Sequence, residues 1–63
     1  MVDGEKIARM MRAQNITSAR MAEIVGVTPA MMTYITQGKR EPNVKCLVAI
    51  ANTLGCKVDD LLL

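Results

Sequence analysis

The sequence predicts an all-α domain, a compact five-helix bundle that occupies residues 1–63 as a single unit. Apolar residues recur at helical spacing, most clearly at Leu47, Ile50, Ala51 and Leu54. Glycine and proline divide the chain so that every predicted loop is shorter than about six residues. The composition is 51% hydrophobic with one aromatic residue, which is typical of a small helical core and not of a disordered chain.

The first helix is predicted from about Asp3 to Gln14. Asp3 is the expected cap, and Ile7, Met10 and Met11 place one apolar stripe on the side that faces the core.

The second helix starts at a cap that either Thr17 or Ser18 can supply. It stops at Gly26, because glycine accepts the left-handed backbone that a helix C-terminus prefers. Its apolar face is formed by Met21, Ala22 and Val25.

The third helix follows after a very short turn. Val27 is expected to point inward, Thr28 to cap the helix, and Pro29 to occupy its first turn, where a missing N–H costs nothing. Gln37 and Gly38 end it. Two helices joined by so short a turn cross steeply, which predicts a helix-turn-helix unit at the second and third helices.

The fourth helix begins after Pro42, with Asn43 as its cap, and ends at Gly55. A last short helix is predicted from Val58 to Leu62. Its core-facing residues are expected to be Val58, Leu61 and Leu62. Packing must stabilise so short a helix, since one or two turns are marginal alone.

The third helix is unusual because its outward face carries no charge. A projection at about 100° per residue places Thr28, Met32 and Ile35 inward and Ala30, Thr33, Tyr34 and Gln37 outward. Threonine and tyrosine can hydrogen-bond to base edges, and the Pro29 ring or the Ala30 methyl can contact a thymine methyl. An uncharged helix also suits a protein partner. This face alone therefore leaves DNA and protein as alternatives.

The basic residues around the third helix favour DNA. Lys39 and Arg40 follow it directly, while Arg20 and Lys45 lie in the first turns of the second and fourth helices. Positive charge is unfavourable at a helix N-terminus unless an anion lies there.

A phosphate would satisfy these helix ends, since their free N–H groups beside Ser18 and Asn43 attract anions. Alternatively, Arg20 and Lys45 are ordinary surface charges, with Arg20 paired to Glu23. The net charge of +2 permits a nucleic-acid partner without demanding one.

With these residues in place, the chain resembles the phage Cro and repressor type of helix-turn-helix protein, the XRE-like family. The resemblance runs in order through Thr17, Ser18, Met21, Ala22, the turn 25–28, Met32, Ile35, 37–40, Pro42, Asn43, Leu47, Ile50, Ala51, Leu54, Gly55 and 58–62. It implies a transcriptional regulator, a repressor, that inserts its third helix into the major groove of two-fold operator DNA as a homodimer. It also implies bacterial or phage origin.

The resemblance also implies which residues contact DNA. Those nearest the bases would be Pro29, Ala30, Thr33 and Tyr34. Those near phosphates would be Ser18, Gln37, Lys39, Arg40 and Asn43, to which the charge argument adds Arg20 and Lys45.

Three departures from the family pattern matter. Pro29 and Ala30 are apolar where relatives often carry hydrogen-bonding residues, so base readout would depend more on other positions and on DNA shape. Met31 could reach a sugar, although covering the edge of the core is the favoured interpretation. Lys57 replaces a usual serine cap, which predicts fraying of the last helix.

Other classes of function are disfavoured. The chain has no histidine and two cysteines, too few ligands for a zinc site, and Cys46 and Cys56 are expected to be structural. No cofactor, metal or small-molecule ligand is expected. An enzyme is disfavoured, because the adjacent carboxylates Asp59 and Asp60 point different ways on a helix and are best explained as solvated or capping charges.

The location and the partners follow from the same sequence. No apolar run approaches the ~20 residues of a membrane span, and no signal peptide begins the chain, so a cytoplasmic protein is expected. The alternative function is a protein-interaction module, such as an antitoxin or co-regulator. The apolar end at Leu61, Leu62 and Leu63 either contacts a second copy or completes the monomer core.

Overall fold

Four α-helices and a short 3₁₀ helix form the fold in the computed structural model, which describes all residues 1–63. The elements are α1 (Gly4–Ala13), α2 (Ser18–Val25), α3 (Pro29–Thr36), α4 (Val44–Leu54) and the 3₁₀ helix (Val58–Leu61). The predicted all-α class is confirmed. The last element differs from the prediction, because it is a single 3₁₀ turn that ends one residue before Leu62.

Side-chain caps define the starts of the four α-helices. The cap oxygens of Asp3, Thr17, Thr28 and Asn43 accept from the backbone N–H three residues later, at 2.8–3.1 Å. Of the two candidates at α2, Thr17 is the cap and Ser18 is the first residue inside the helix. The idea that Ser18 caps α2 is therefore wrong, because the Thr17 hydroxyl already holds the N–H of Arg20.

A glycine in the left-handed conformation follows each helix of the helix-turn-helix unit. Gly26 has φ +81° and ends α2. At the other end of α3, Gln37 keeps right-handed backbone and Gly38, with φ +75°, is the residue that reverses the chain. Both positions favour glycine because a Cβ strains this conformation.

A single cluster of 13 buried apolar residues forms the core. Its largest fully buried side chains are Ile7, Met21, Met32, Ile35, Ile50 and Leu61. The predicted inward residues Val25 and Val27 are half-buried and pack against this cluster. Cys46 is buried within it and Cys56 packs against it, and both are free thiols, which confirms their structural interpretation.

Two residues were wrongly predicted to face the core. Thr28 is exposed, since an N-cap has extended backbone and a helical projection does not apply to it. Leu62 is 41% exposed because it follows the 3₁₀ helix in extended conformation.

Gly4 brings the start of α1 into close contact with the end of α3. A Cβ at this position would overlap the carbonyl oxygen of Ile35 and lie 2.9 Å from that of Thr36. Glycine at this buried position therefore sets the distance between the two helices.

The two chain ends pair with each other. The Asp3 N–H donates to the Leu61 carbonyl at 2.7 Å, and the Leu63 N–H donates to the Met1 carbonyl at 3.0 Å. Lys57 provides no side-chain cap, but the carboxylate of Asp60 accepts from its N–H at 3.0 Å. These bonds hold the last turn where fraying was predicted, and they confirm a capping role for Asp60.

Candidate nucleic-acid interface

The candidate interface is the outward side of α3 together with the segments that precede and follow it. Met32 and Ile35 are fully buried and fix the inner side of this helix against the core. Every Lys, Arg, Asp and Glu lies outside α3 itself, whose sequence is PAMMTYIT. The uncharged outward face predicted from the sequence is therefore a real surface of the folded chain.

The four residues predicted nearest the bases differ in exposure. Pro29 and Ala30 are exposed in the first turn, and the Tyr34 side chain is 42% exposed. Thr33 is half-buried. The outward face thus presents two small apolar groups and one phenol, with Thr33 less accessible.

Main-chain hydrogen bonds hold the basic loop against the end of α3. After the reversal at Gly38, the N–H groups of Lys39 and Arg40 both donate to the carbonyl of Tyr34, at 2.9 and 3.3 Å. Gln37 is exposed at the C-cap, and its N–H donates to the Thr33 carbonyl at 3.0 Å. Lys39 and Arg40 lie where the helix dipole favours positive charge, so the free fold tolerates them well.

Ser18 lies at the edge of a groove of about 630 Å³ between α1, α2 and the end of α3. Arg12 and Asn15 line the same groove. Asn15 has left-handed backbone with φ +58°. It lies in the turn between the end of α1 and the start of α2, beside the groove. The sequence argument for DNA contacts did not include Arg12, although its position in the last turn of α1, five residues before the cap of α2, indicates that it lies near Ser18.

Arg20 forms the one ion pair of the structure, with Glu23. The alternative interpretation of Arg20 as a paired surface charge therefore describes the free protein. Both side chains are exposed, and exposed pairs contribute only about 0–1 kcal/mol. Exchange of the carboxylate for a phosphate remains energetically accessible.

The start of α4 carries the remaining candidates. The Asn43 side chain accepts from the Cys46 N–H at 2.8 Å, so its oxygen already serves as a cap. Lys45 is exposed and has no acidic partner. The carboxylate of Glu41, four residues before Lys45, accepts from the Val2 N–H at 2.9 Å. This acid is therefore bonded to the backbone near the start of the chain and not to Lys45.

The two thiols are poorly reactive. Burial raises the pKa of Cys46 above its ordinary value of 9.0. Burial also raises the pKa of Cys56, where the charge of Asp60 raises it further and that of Lys6 lowers it. Both cysteines are therefore protonated near neutral pH, and a thiol is a poor nucleophile.

Helices α2 and α3 are joined by a short turn at Gly26, and α3 has an exposed outward side. This arrangement defines a helix-turn-helix protein. The chain belongs to the Cro/C1-type HTH DNA-binding domain family, whose model matches residues 6–62. The family resemblance seen in the sequence is confirmed.

A curated relative is the SPbeta prophage-derived HTH-type transcriptional regulator YonR of Bacillus subtilis strain 168, which is 32% identical over 59 residues. The match covers 94% of this chain and 55% of the relative, so the chain spans about half of that protein's length.

Two solved structures share the fold. The P22 c2 repressor in complex with synthetic operator 9T aligns with a TM-score of 0.91 and 29% identity, over 98% of this chain and 94% of that one. The clp gene regulator ClgR from Corynebacterium glutamicum aligns with a TM-score of 0.84 and 23% identity, over 90% and 61%. No helix of the present chain has the length and hydrophobicity needed to cross a membrane.

Proposed function

We propose that the chain is the DNA-binding part of a transcriptional regulator, a repressor, that inserts α3 into the major groove of operator DNA. The observation that carries the proposal is a helix whose exposed outward side has no charged residue, followed by a basic loop that is hydrogen-bonded to its last turn. A major groove admits one α-helix. The structural likeness to the P22 c2 repressor in an operator complex supports this assignment.

Base readout is assigned to the outward residues of α3, which are Pro29, Ala30, Thr33 and Tyr34. Tyr34 is the largest exposed group and the main candidate for sequence discrimination. Thr33 is half-buried and makes a smaller contribution. Two apolar positions out of four make the readout depend on methyl contacts and on DNA shape more than on hydrogen bonds.

Phosphate binding is assigned to residues at both ends of the unit. The contacting residues are Ser18, Arg20, Gln37, Lys39, Arg40, Asn43 and Lys45. Lys39 and Arg40 carry most weight, because main-chain bonds to Tyr34 already hold them beside α3. Arg20 must leave Glu23 to take part, and Asn43 would act through its backbone N–H while its oxygen remains the cap.

The chain acts as a homodimer on two-fold DNA in this proposal, in the cytoplasm of a bacterium and without enzymatic activity. Leu62 and Leu63 are 41% and 80% exposed, so the apolar end of the chain has surface left for a second copy. Half-sites would then lie about 10 bp apart, one helical turn of DNA.

In vitro selection against a random duplex library at near-physiological salt tests the proposal. We expect an enriched, two-fold symmetric motif. If about six phosphates are contacted across the dimer, the logarithm of affinity falls against the logarithm of salt with a slope near −5. Weak, salt-sensitive binding without an enriched motif would contradict sequence-specific recognition.

A protein-interaction module, such as an antitoxin or co-regulator, is the second candidate function. Val44 and Val48 are 78% and 41% exposed one turn apart on α4, and a protein partner would cover this pair. Replacing both valines by serine should abolish partner capture and leave the DNA affinity unchanged. Loss of DNA affinity in that variant would mean that the valine pair contacts DNA together with its neighbours Asn43 and Lys45.

A further inference from the structure

The exposed basic loop between α3 and α4 is hydrogen-bonded to the rest of the fold at both of its ends. At its start, the N–H groups of Lys39 and Arg40 donate to the Tyr34 carbonyl. At its end, the carboxylate of Glu41 accepts from the Val2 N–H at 2.9 Å. The two basic residues assigned to phosphate binding therefore lie between two points of attachment.

Val2 is a firm point of attachment because the core and the last turn hold it. Its side chain is 7% exposed and belongs to the core cluster, and its backbone forms an antiparallel bridge with Leu62. The next residue, Asp3, donates its N–H to the Leu61 carbonyl at 2.7 Å and caps α1. A carboxylate bonded to the Val2 N–H is thus bonded to the body of the domain.

The same segment also contacts the residues just before the loop. Gly4 lies so close to the carbonyl oxygens of Ile35 and Thr36, at the end of α3, that a Cβ does not fit there. The segment 2–4 therefore spans the base of the loop, from the last residues of α3 to Glu41.

Pro42 stiffens the backbone next to Glu41. Its ring fixes its own φ and restricts the residue before it to extended backbone. Asn43 follows at once as the cap of α4. Because the end of the loop is stiff, a bond to the Glu41 side chain limits the position of the loop as a whole.

Glu41 is the one acid in the segment 37–43, and it directly follows Lys39 and Arg40. Its carboxylate is bonded to the Val2 N–H and forms no ion pair with either cation. A negative charge beside a surface that meets phosphates disfavours binding. Charge alone therefore predicts that removal of Glu41 strengthens the binding of DNA.

We propose that Glu41 is a positioning residue for DNA binding, whose bond to the Val2 N–H holds Lys39 and Arg40 where the phosphates lie. The inference rests on the proposed function, since it requires this loop to contact DNA. Glu41 itself contacts no DNA group. Its effect on the position of the loop outweighs the repulsion between its carboxylate and the phosphates.

The strength of one hydrogen bond limits the size of the effect. Such a bond changes an equilibrium constant by roughly two- to tenfold. When it is broken, the fraction of chains whose loop is ready to bind falls by at most that factor, and the apparent dissociation constant rises in proportion.

The test compares Glu41→Ala with Glu41→Gln on the selected operator, at constant salt and well below the Tm of each protein. Glutamine loses the charge but keeps an oxygen that accepts from the Val2 N–H. We expect Glu41→Ala to bind about fivefold more weakly than the wild-type chain, and Glu41→Gln to bind at least as tightly. Asp59→Ala, which removes an exposed acid on the 3₁₀ helix, should not weaken binding.

A double-mutant cycle shows whether Glu41 acts through the basic loop. Lys39→Ala should weaken binding less in Glu41→Ala than in the wild-type chain, because the loop that carries Lys39 is no longer held. Arg20→Ala, which removes a cation on α2, should have the same effect in both backgrounds.

The outcomes separate the two proposals. Equal affinities of Glu41→Ala and Glu41→Gln, for an operator that the wild-type chain binds specifically, would overturn this inference and leave the proposed function intact. Additive effects of Glu41→Ala and Lys39→Ala would also overturn it. Absence of specific binding by the wild-type chain to any duplex would overturn the proposed function together with the inference.

Discussion

Gly4→Ala is the substitution that most directly tests how α3 is positioned. The added methyl group would overlap the Ile35 carbonyl oxygen and lie 2.9 Å from that of Thr36, where ordinary contact begins at 3.4 Å. Both obstacles are backbone atoms, so no side chain can rotate away. The start of α1 and the end of α3 must separate by at least 0.5 Å to restore the Thr36 contact alone.

Two opposite effects decide the change in stability. Overpacking of this kind typically costs about 1–3 kcal/mol. Alanine in place of glycine in the middle of a helix gains about 0.5–1 kcal/mol, and this is an upper limit at Gly4, the first residue of α1. We expect the steric cost to exceed the gain, with a net loss of about 1 kcal/mol in the free energy of unfolding. For a domain of this size, Tm should fall by about 4–8 °C.

Thermal unfolding followed by circular dichroism measures this loss. Arg9→Ala is the matched control, because it alters the exposed side of the same helix and surface changes usually stay within about 0.5 kcal/mol. Affinity for the selected operator, measured well below Tm, should also fall for Gly4→Ala, since the end of α3 moves. A Gly4→Ala protein as stable as the control would refute the reasoning and show that α1 and α3 separate freely.

Three further predictions concern other parts of the chain. Lys39→Ala should weaken binding to all DNA sequences alike and reduce the slope of log affinity against log salt by about 1, the share of one phosphate contact. A change of the preferred sequence in binding titrations would contradict a phosphate contact. Thr28→Ala should lower the free energy of unfolding by about 1 kcal/mol through loss of the α3 cap, and Thr28→Ser should retain it; equal denaturation curves for the two variants would refute the capping role. Because the pKa of Cys46 is raised in the folded chain, the thiol loses its proton at lower pH in the unfolded chain. The stability that the protonated thiol contributes is therefore complete below the ordinary pKa of 9.0, and it declines as pH rises from there to the pKa of the folded chain. The alkaline decrease in stability should therefore be smaller in Cys46→Ala, and parallel pH profiles for the two proteins would contradict it.

Local patterns were sufficient to predict the four α-helices and most of their limits. Asp3, Thr28 and Asn43 act as the caps that their residue types suggested, and Gly26 stops α2. These signals are local, because each cap bonds to an N–H three residues away. The choice between Thr17 and Ser18 could not be made this way, since either hydroxyl can cap and the register of the first turn decides.

The remaining features depend on contacts between distant parts of the chain. The tight fit of Gly4 requires the end of α3, which lies more than 30 residues away. The groove that joins Arg12 to Ser18 needs the left-handed backbone of Asn15, and nothing in the spacing of charges shows it. The sequence predicted the outward face of α3 but not the shallow hollow on it, which is lined by Thr28, Ala30, Met31, Tyr34 and Arg40.

Different residues of α3 face the core and the outside, which explains how such a small domain can present a surface for base recognition. Met32 and Ile35 are fully buried and fix the position of the helix, while Gly4 allows α1 to approach it closely. Ala30 and Tyr34 are exposed and contribute little to the core. Because the groups that hold α3 differ from those that face outward, outward residues can change DNA preference at little cost in stability. One exception is Met31, which packs on the core and also lines the shallow hollow on the outward side of α3. The other is Thr28, which caps the helix and lines the same hollow. At these two positions a change of specificity should also change the stability of the fold.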